Sequence, residues 1–428
     1  MGKFSIGYRR VYILSNEPFF PQNKLVTFAK MRASWGAAGN NQIGSYSSKA
    51  LIGSTSANGS NDYNFNYVFG NTLSPGFAAI TTANNNLTWE TKTSTDIGLD
   101  LAFFEKLNLT ADYYHSITKN LLLNVPVPEQ SGFINSIQNI GKVSNYGFEF
   151  ELSANNLNAG AFKFGFNGNL ATNVNKVLAL ALGQIQIIQG AKSNFVTKVG
   201  GPVAAMYGYN ITGIYKTQDQ INNSPHLAGT LTGDYMVADT NHDGVIDSRD
   251  QVSYGTYNPK FTYGFGANIA VRQFELNFVF NGVSGRKIYD LGLATLDESG
   301  EGFSMPSLYY FQNRYHPVDN PNGIYAQPNL GNYSSARRLT HAGSLFYYSG
   351  DYLRLRSTQV AYNLPDALTS KVKISHVRLY VSANNLFTWT KFRGYNPDAT
   401  SNNVLTNGLS NANYPVARSF IFGANVTF

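Results

Sequence analysis

The chain has 428 residues, 32 basic against 25 acidic side chains for a formal charge of +7, and no cysteine. Its charged fraction of 13% is about half that of an ordinary soluble domain. The absence of cysteine excludes disulfide scaffolds, thiolate nucleophiles and cysteine-based metal sites. The basic residues are scattered, with no run longer than Arg9-Arg10 or Arg337-Arg338, so the clustered footprint of a nucleic-acid binder is absent as well.

Aromatics reach 14% and glycine 40 residues, and asparagine is frequent, the profile of many strands joined by polar turns. The longest apolar run, Val177 to Leu182, falls far short of the roughly 18 residues of a spanning helix. The opening MGKFSIGYRR has no apolar stretch of the kind a signal peptide carries.

Period-two alternation dominates from the first clear element onward. Leu107, Leu109, Ala111 and Tyr113 share one face, with Asn108, Thr110 and Asp112 on the other. Tyr146, Phe148, Phe150 and Leu152 alternate with Gly147, Glu149, Glu151 and Ser153. Phe162, Phe164, Phe166 and Leu170 alternate with Lys163, Asn167 and Asn169; Phe274, Leu276, Phe278 and Phe280 with Glu275, Asn277 and Asn281; Val377, Leu379, Val381 and Ala383 with Arg378, Tyr380, Ser382 and Asn384. Successive strand residues point to opposite faces, so each segment has one apolar and one polar face.

Such strands pack in a sandwich or line a membrane barrel. Three features favour the barrel. The alternating runs extend about ten residues, the length of a tilted crossing. Glu149, Glu151, Lys163, Arg354 and Arg356 sit well inside strands, as a watery interior permits. Aromatics at Tyr113-Tyr114, Trp89 and Trp389 are placed near strand ends, where interfacial girdles lie. Tight turns are expected at Glu105-Lys106 and Ala159-Gly160, and long polar loops over about 45–85, 177–256 and 290–350. Short turns on one side and long loops on the other is the asymmetry of membrane barrels.

The ending is sharp. Phe420, Phe422, Ala424, Val426 and Phe428 alternate with Ile421, Gly423, Asn425 and Thr427. A last strand closing on Phe428 resembles the signal read by the barrel-assembly machinery.

One segment has metal-ligand spacing. In DTNHDGVIDSRD, Asp239, Asn241 and Asp243 take the first, third and fifth positions, and Gly244 takes the sharp turn. Val245 would give its carbonyl, Asp247 a direct or water-mediated oxygen, and Asp250 the twelfth-position carboxylate. This points to Ca2+ in a loop rather than an EF-hand, since Asp250 stands where an EF-hand has Glu and no flanking helices are apparent. The alternative is an Asp/Asn turn held by its own backbone. His115, His226, His242, His316, His341 and His376 show no paired spacing, and Glu149 and Glu151 read as a polar lining. Tyr309-Tyr310 and Tyr347-Tyr348 read as exposed loop aromatics able to stack on sugars, or equally as part of the interfacial aromatic girdles. No nucleophile elbow, P-loop or dinucleotide fingerprint occurs, so no catalytic residue and no organic cofactor are assigned.

Several strings resemble the SusC/RagA type of TonB-dependent outer-membrane transporter of Bacteroidota. They are MRASWGAAGNNQIGSY (31–46), LTWETKTSTDIGLD (87–100), NIGKVSNYGFEFEL (139–152), GDYMVADTNHDGVIDSRD (233–250) with NPKFTYGF (258–265), and NNLFTWTKFRGYNPD (384–398). The resemblance implies an all-β, transmembrane antiparallel β-barrel of about 22 strands with long extracellular loops and short periplasmic turns. Residues 1–428 would be its carboxy-terminal portion, roughly a dozen strands, with the plug domain, TonB box and signal peptide absent. It implies TonB-dependent import of a glycan or oligopeptide across the outer membrane of a Gram-negative bacterium, with a SusD-like lipoprotein lid and with TonB engaged through the missing amino-terminal region. The partners would also include outer-membrane lipid and the assembly machinery, and no nucleic acid. As a fragment the chain would not transport alone. Two other classes stay open: a complete smaller channel of about 14 strands, and a soluble or surface β-rich carbohydrate-binding protein or hydrolase.

Overall fold

The structure, a computed structural model, describes residues 5–21, 24–40, 46–53, 66–133, 135–139, 141–180, 184–190, 192, 194–297, 305–328, 343–398, 401, 403–411 and 413–428. His341 and Arg337-Arg338 lie outside them.

A 12-stranded antiparallel sheet organises the chain. Its path runs β1 (Ser5–Ile13), β2 (Val26–Asn40), β3 (Glu90–Phe103), β4 (Leu107–Lys119), β5 (Lys142–Ala159), β6 (Phe162–Thr172), β7 (Phe261–Val271), β8 (Phe274–Ser284), β9 (Tyr352–Asn363), β10 (His376–Thr390) and β11 (Ser419–Thr427). Each strand pairs with the next in sequence. After Thr172 the chain bends, and Val174–Ala179 pairs with the first residues of β5, from Lys142 to Tyr146. The meander has no second sheet of comparable size among the described residues, as a barrel wall requires and a sandwich does not.

Connections alternate in length. At one end they span 14–25, 104–106, 160–161, 272–273 and 364–375; at the other, 41–89, 120–141, 173–260, 285–351 and 391–418. The three tightest use left-handed backbone. Phe104 and Glu105 both have positive φ (54° and 58°), the pattern of a type I′ hairpin. Gly160 (63°) and Arg272 (54°) open the next two. The central pairs are therefore Phe104-Glu105 and Gly160-Ala161, one residue off the expected positions in each case.

Register gives the sheet two unlike faces. Across the apolar face run Tyr8↔Trp35, Ile97↔Tyr113, Tyr113↔Phe148, Phe265↔Phe280 and Val381↔Phe422. Neighbouring rings touch: Tyr113 and Phe148 lie 5.2 Å apart and Phe265 and Phe280 4.7 Å. Most of these residues are exposed in the isolated chain, Phe422 at 77%. Arg10 interrupts this face on β1. Trp89 and Trp389 lie at strand ends beside the long connections, as expected. Tyr113 and Tyr114 do not: both sit in the middle of β4 and face opposite sides.

Glycine seats several aromatic side chains against the wall. Tyr114 pairs with Gly147, Tyr263 with Gly282 and Tyr380 with Gly423. A Cβ on Gly282 would lie 2.6 Å from the Tyr263 ring, and one on Gly423 within 2.7 Å of the Tyr380 ring. The Tyr263 and Tyr380 rings occupy the space a side chain would fill, while at Gly147 the Thr172 carbonyl does so, with the Tyr114 hydroxyl beside it.

The larger buried cluster lies mostly outside the sheet, with Val143 and Val177 at its edge. Its members include Leu123, Phe195, Met206, Tyr235, Tyr289, Tyr310, Tyr325, Phe346, Tyr347 and Leu405. They come from the connections at 120–141, 173–260, 285–351 and 391–418, so the long loops form one packed body. Their interior joins aliphatic side chains with the tyrosines and phenylalanines of these loops.

Gly423→Val should collide with Tyr380 and destabilise the wall by about 1–3 kcal/mol. The check is the denaturant midpoint for loss of heat-modifiable gel mobility, which should fall in Gly423→Val and recover when Tyr380→Ala is added.

Candidate functional site

The polar face is built from alternate residues of the same strands, and its charges are largely paired. Lys30 and Arg32 on β2 face Asp100 on β3, with Lys30 Nζ donating at 2.7 Å and Arg32 Nη2 at 2.9 Å. Arg32 also reaches Asp112 on β4, two strands away, at 2.8 Å. It crosses β3 at Gly98. A Cβ there would stand 2.6 Å from Arg32 Nη2 and nearer still to Asp112 Oδ1, so the ion pair requires glycine. A second cluster joins Arg378 on β10 to Glu275 on β8 (2.9 Å) and to Gln359 on β9 (2.7 Å). Asn363 donates to the same Glu275 at 2.8 Å. Both clusters lie in the half of the wall nearer the short turns. Glu149 and Glu151 are exposed on this face, as expected for a polar lining.

At the long-loop rim two arginines are buried. Arg286 is 4% exposed; it donates to the carbonyls of Gly350 and Pro397 and pairs with Asp398 at 3.1 Å. Its guanidinium lies over Tyr257 (4.6 Å) and Tyr352 (5.3 Å). Arg354 donates to Thr388 Oγ1 at 3.1 Å and lies 3.6 Å from Asp398. Buried charge is tolerated because Arg286 has carboxylate, carbonyl and ring partners, and Arg354 has a carboxylate, the Thr388 hydroxyl, the Asn396 amide oxygen and the Tyr352 ring. Arg356, expected on the same face, is the extra residue of a bulge between Leu355 and Ser357 and is exposed. In the loop body, fully buried Asp297 takes Arg393 and Ser307 Oγ (2.6 Å), and Arg393 lies over Tyr309 at 3.7 Å. Sequence reading missed these clasps, because their members are up to 112 residues apart.

The paired loop tyrosines do not form an exposed stacking platform. Tyr310 (1% exposed) donates to the Ala326 carbonyl at 2.8 Å, and Tyr347 (5%) donates to the Tyr207 carbonyl at 2.5 Å. Burial pushes the Tyr347 hydroxyl well above its usual range. Only Tyr309 of the four is well exposed, at 39%.

The acidic loop stands between two small ladders, Tyr235–Val237 against Ile211–Ile214 and Val252–Ser253 against Tyr207–Gly208. Ile246 anchors it by packing with Tyr209, Leu227 and Val237. Asp239 Oδ2 accepts from Gly244 N (2.8 Å), Asn241 Oδ1 from Asp243 N (2.9 Å) and Asp243 Oδ1 from Val245 N (2.9 Å). Asp250, fully buried, accepts from Thr240 N and Asp247 N, both at 2.9 Å. Arg249 pairs with Asp243 and Asp247, each at 2.8 Å. Gly244 has φ of 83° at the sharp turn, and His242 at 61° stands at a non-ligand position. The donors are thus in order along the loop, and buried Asp239 Oδ1 has no partner. The carboxylates do not converge, however: among the described residues no three His, Asp or Glu side chains are gathered around one point. Of the other histidines, His316 pairs with Asp319 and His115 contacts Ser144 Oγ.

Comparison with known proteins agrees with this architecture. A family described as TonB dependent receptor-like, beta-barrel matches residues 30–386. The chain is 33% identical over 433 residues to TonB-dependent receptor P3 of Formosa agariphila, covering 97% of this chain and 41% of that protein. It is 23% identical to TonB-dependent receptor SusC of Bacteroides thetaiotaomicron, covering 97% of this chain and 39% of that one. The solved structure of the RagAB peptide transporter superposes with a TM-score of 0.74 at 20% identity, over 100% of this chain and 43% of that chain. The chain therefore spans about two fifths of the length of these relatives.

Asp250 gives the acidic loop a pH dependence. Burial pushes its carboxyl up, but the N–H groups of Asp247, Thr240 and Asn241 outweigh burial and hold it below the usual carboxylate range. A depressed pKa means stabilisation that is complete above the unfolded value of about 3.9 and is lost as pH falls through the lower folded value. Hydrogen exchange of peptides spanning 235–253 should show protection held at pH 5 that declines progressively as pH falls below about 4. Protection that falls already above about pH 5 would contradict the assignment.

Proposed function

The chain belongs to the family of TonB-dependent receptor-like β-barrels, and on that premise we propose that it supplies the carboxy-terminal wall and outer loops of a SusC-like nutrient importer. Its strands are those of an outer-membrane barrel, and the family is one of transporters rather than enzymes. The observation that carries the reading is the two-faced wall. Apolar rings in register meet lipid, while paired charges and amides line the inside. In this reading the packed loop body sits outside the cell and meets a SusD-like lipoprotein lid, and the cargo is a glycan or oligopeptide. Energy arrives through TonB. Phe428, 89% exposed at the short-turn end, acts as the signal for the assembly machinery.

Uptake of labelled oligosaccharides and oligopeptides by cells with and without the gene tests the reading. Uptake should need both this protein and TonB, and removing Phe428 should lower it in step with the amount of heat-modifiable barrel. Uptake that persists without TonB would favour a passive channel instead.

The acidic loop, in the same proposal, takes Ca2+ through Asp239, Asn241, Asp243, the Val245 carbonyl, Asp247 and Asp250. Hard oxygens suit a hard cation, and Asp239 Oδ1 is an oxygen still uncommitted. Arg249 would have to release Asp243 and Asp247, so its positive charge and the ion compete for one place. Calcium should raise the melting temperature of the parent protein and not of Asp243→Ala, and Arg249→Ala should bind calcium at least as tightly as the parent. No calcium shift in the parent would refute the site.

A further inference from the structure

The apolar face changes character at its long-loop end. On β5 it reads, toward the short turns, Lys142, Ser144, Tyr146, Phe148, Phe150 and Leu152. That is a descent from cation through hydroxyl and aromatic ring to hydrocarbon. Lys142 stands directly opposite Lys119 on β4. On the other side of β5, Lys176 of the short strand Val174–Ala179 stands opposite Ser144. Directly opposed residues have Cβ atoms about 5 Å apart, and diagonal ones about 7–8 Å, so the three lysines form one cluster. Across β3, β4, β5, β6 and the short strand, no other Lys, Arg, Asp or Glu stands on the apolar face among the described residues. Lys119 and Lys176 are exposed and Lys142 is half-buried. No hydrogen bond or ion pair engages their ammonium groups among the described residues. Glu90, beside this end of β3, is taken by Asn40 Nδ2 and the Leu122 N–H instead.

We propose that Lys119, Lys142 and Lys176 bind the phosphate of an anionic lipid in the outer leaflet of the membrane, with its acyl chains lying on the rings below. Height supports this. The 13 residues of β4, at about 3.3 Å each and a tilt of about 40°, rise about 30 Å. The apolar band of a membrane barrel is about 25 Å tall, so Lys119 at the top of β4 stands level with the headgroups. Charge supports it as well. Like charges directly opposite each other on a sheet are destabilising, and a phosphate offers oxygens that accept from several ammonium groups at once. The rings select a lipid over a free anion. Tyr146, Phe148 and Phe150 are 37%, 50% and 41% exposed directly below the lysines, a surface that a soluble phosphate would leave unused. His115 on the same face is held by Ser144 Oγ at 3.0 Å and meets the Tyr146 ring edge-on. Arg10, also on the apolar face, lies on an outermost strand, whereas β4 and β5 are paired along both edges within this chain. No further strand can therefore come between Lys119 and Lys142.

The choice of leaflet rests on the reading that the long loops face outward, but the test of the site does not depend on uptake. The protein that carries this chain is stripped of lipid in detergent and offered lipid A, a phosphorylated glycolipid, or the same lipid A after removal of its phosphate. Retained lipid is read by native mass spectrometry. The parent should hold the phosphorylated form in preference to the other, and less of it as salt screens the lysines. The triple variant Lys119→Gln, Lys142→Gln and Lys176→Gln should hold it roughly ten- to a hundredfold more weakly. Arginine at the same three positions keeps the charge and should hold it as the parent does, and unchanged heat-modifiable mobility certifies the fold of each variant. Equal retention by the parent and the glutamine variant would overturn the site, as would equal retention of the two lipids by the parent. Displacement of lipid A by an equal concentration of inorganic phosphate would overturn the lipid assignment in favour of a free anion. Phosphate-dependent retention in a protein that fails the uptake test would keep the site and remove only the importer reading.

Discussion

Every backbone N–H and C=O of this wall must be paired within the sheet, because hydrocarbon offers no substitute partner. That constraint makes each strand bond to its sequence neighbours, and the pairing then fixes register. A slip of one residue would turn Phe265, Phe280 and Val381 inward and put Asn268, Glu275 and Arg378 into lipid. The division of faces and the ion clusters are both consequences of where the ladder locks.

Register also explains how side chains cooperate across strands that share no sequence motif. Arg32 reaches Asp112 because Gly98, on the strand between, has no side chain to bar the way. Tyr380 lies flat because Gly423 is opposite, and Asn167 lies flat because Gly266 is. In each case the glycine has no special backbone angle; what matters is the missing Cβ. The bulges add a second kind of control. One in β5 shifts the register between Ala154 and Leu157, and one in β9 separates Arg354, buried at the rim, from Arg356, left in solvent.

Much of the wall was legible in the sequence because alternation is a local property. Residues 146–153 or 274–281 declare their two faces without knowledge of their neighbours, and the loop asymmetry follows from spacing alone. The acidic loop was legible as a tight turn for the same reason, and the left-handed backbone of Gly244 and the side-chain-to-backbone bonds of Asp239, Asn241 and Asp243 are visible in the fold. What stayed hidden depends on distance along the chain. Nothing near Arg286 announces Asp398, and nothing near Tyr347 announces the Tyr207 carbonyl. The tyrosine pairs misled because exposure was inferred from loop membership, whereas four loops share one interior. Tyr113-Tyr114 misled similarly, since an aromatic doublet marks a girdle only if the strand ends there.

That shared interior bears on how the molecule reaches its native state. Leu123, Phe195, Tyr289, Phe346 and Leu405 meet from connections set by β4 through β11. Their contacts are among the longest-range in the chain, so they close late, after the strands that bring the loop ends together. A strand paired out of register would displace its loop by a residue and leave an aromatic ring without its socket. The outer body is therefore a checkpoint on the order of assembly: it packs only over strands that are already aligned.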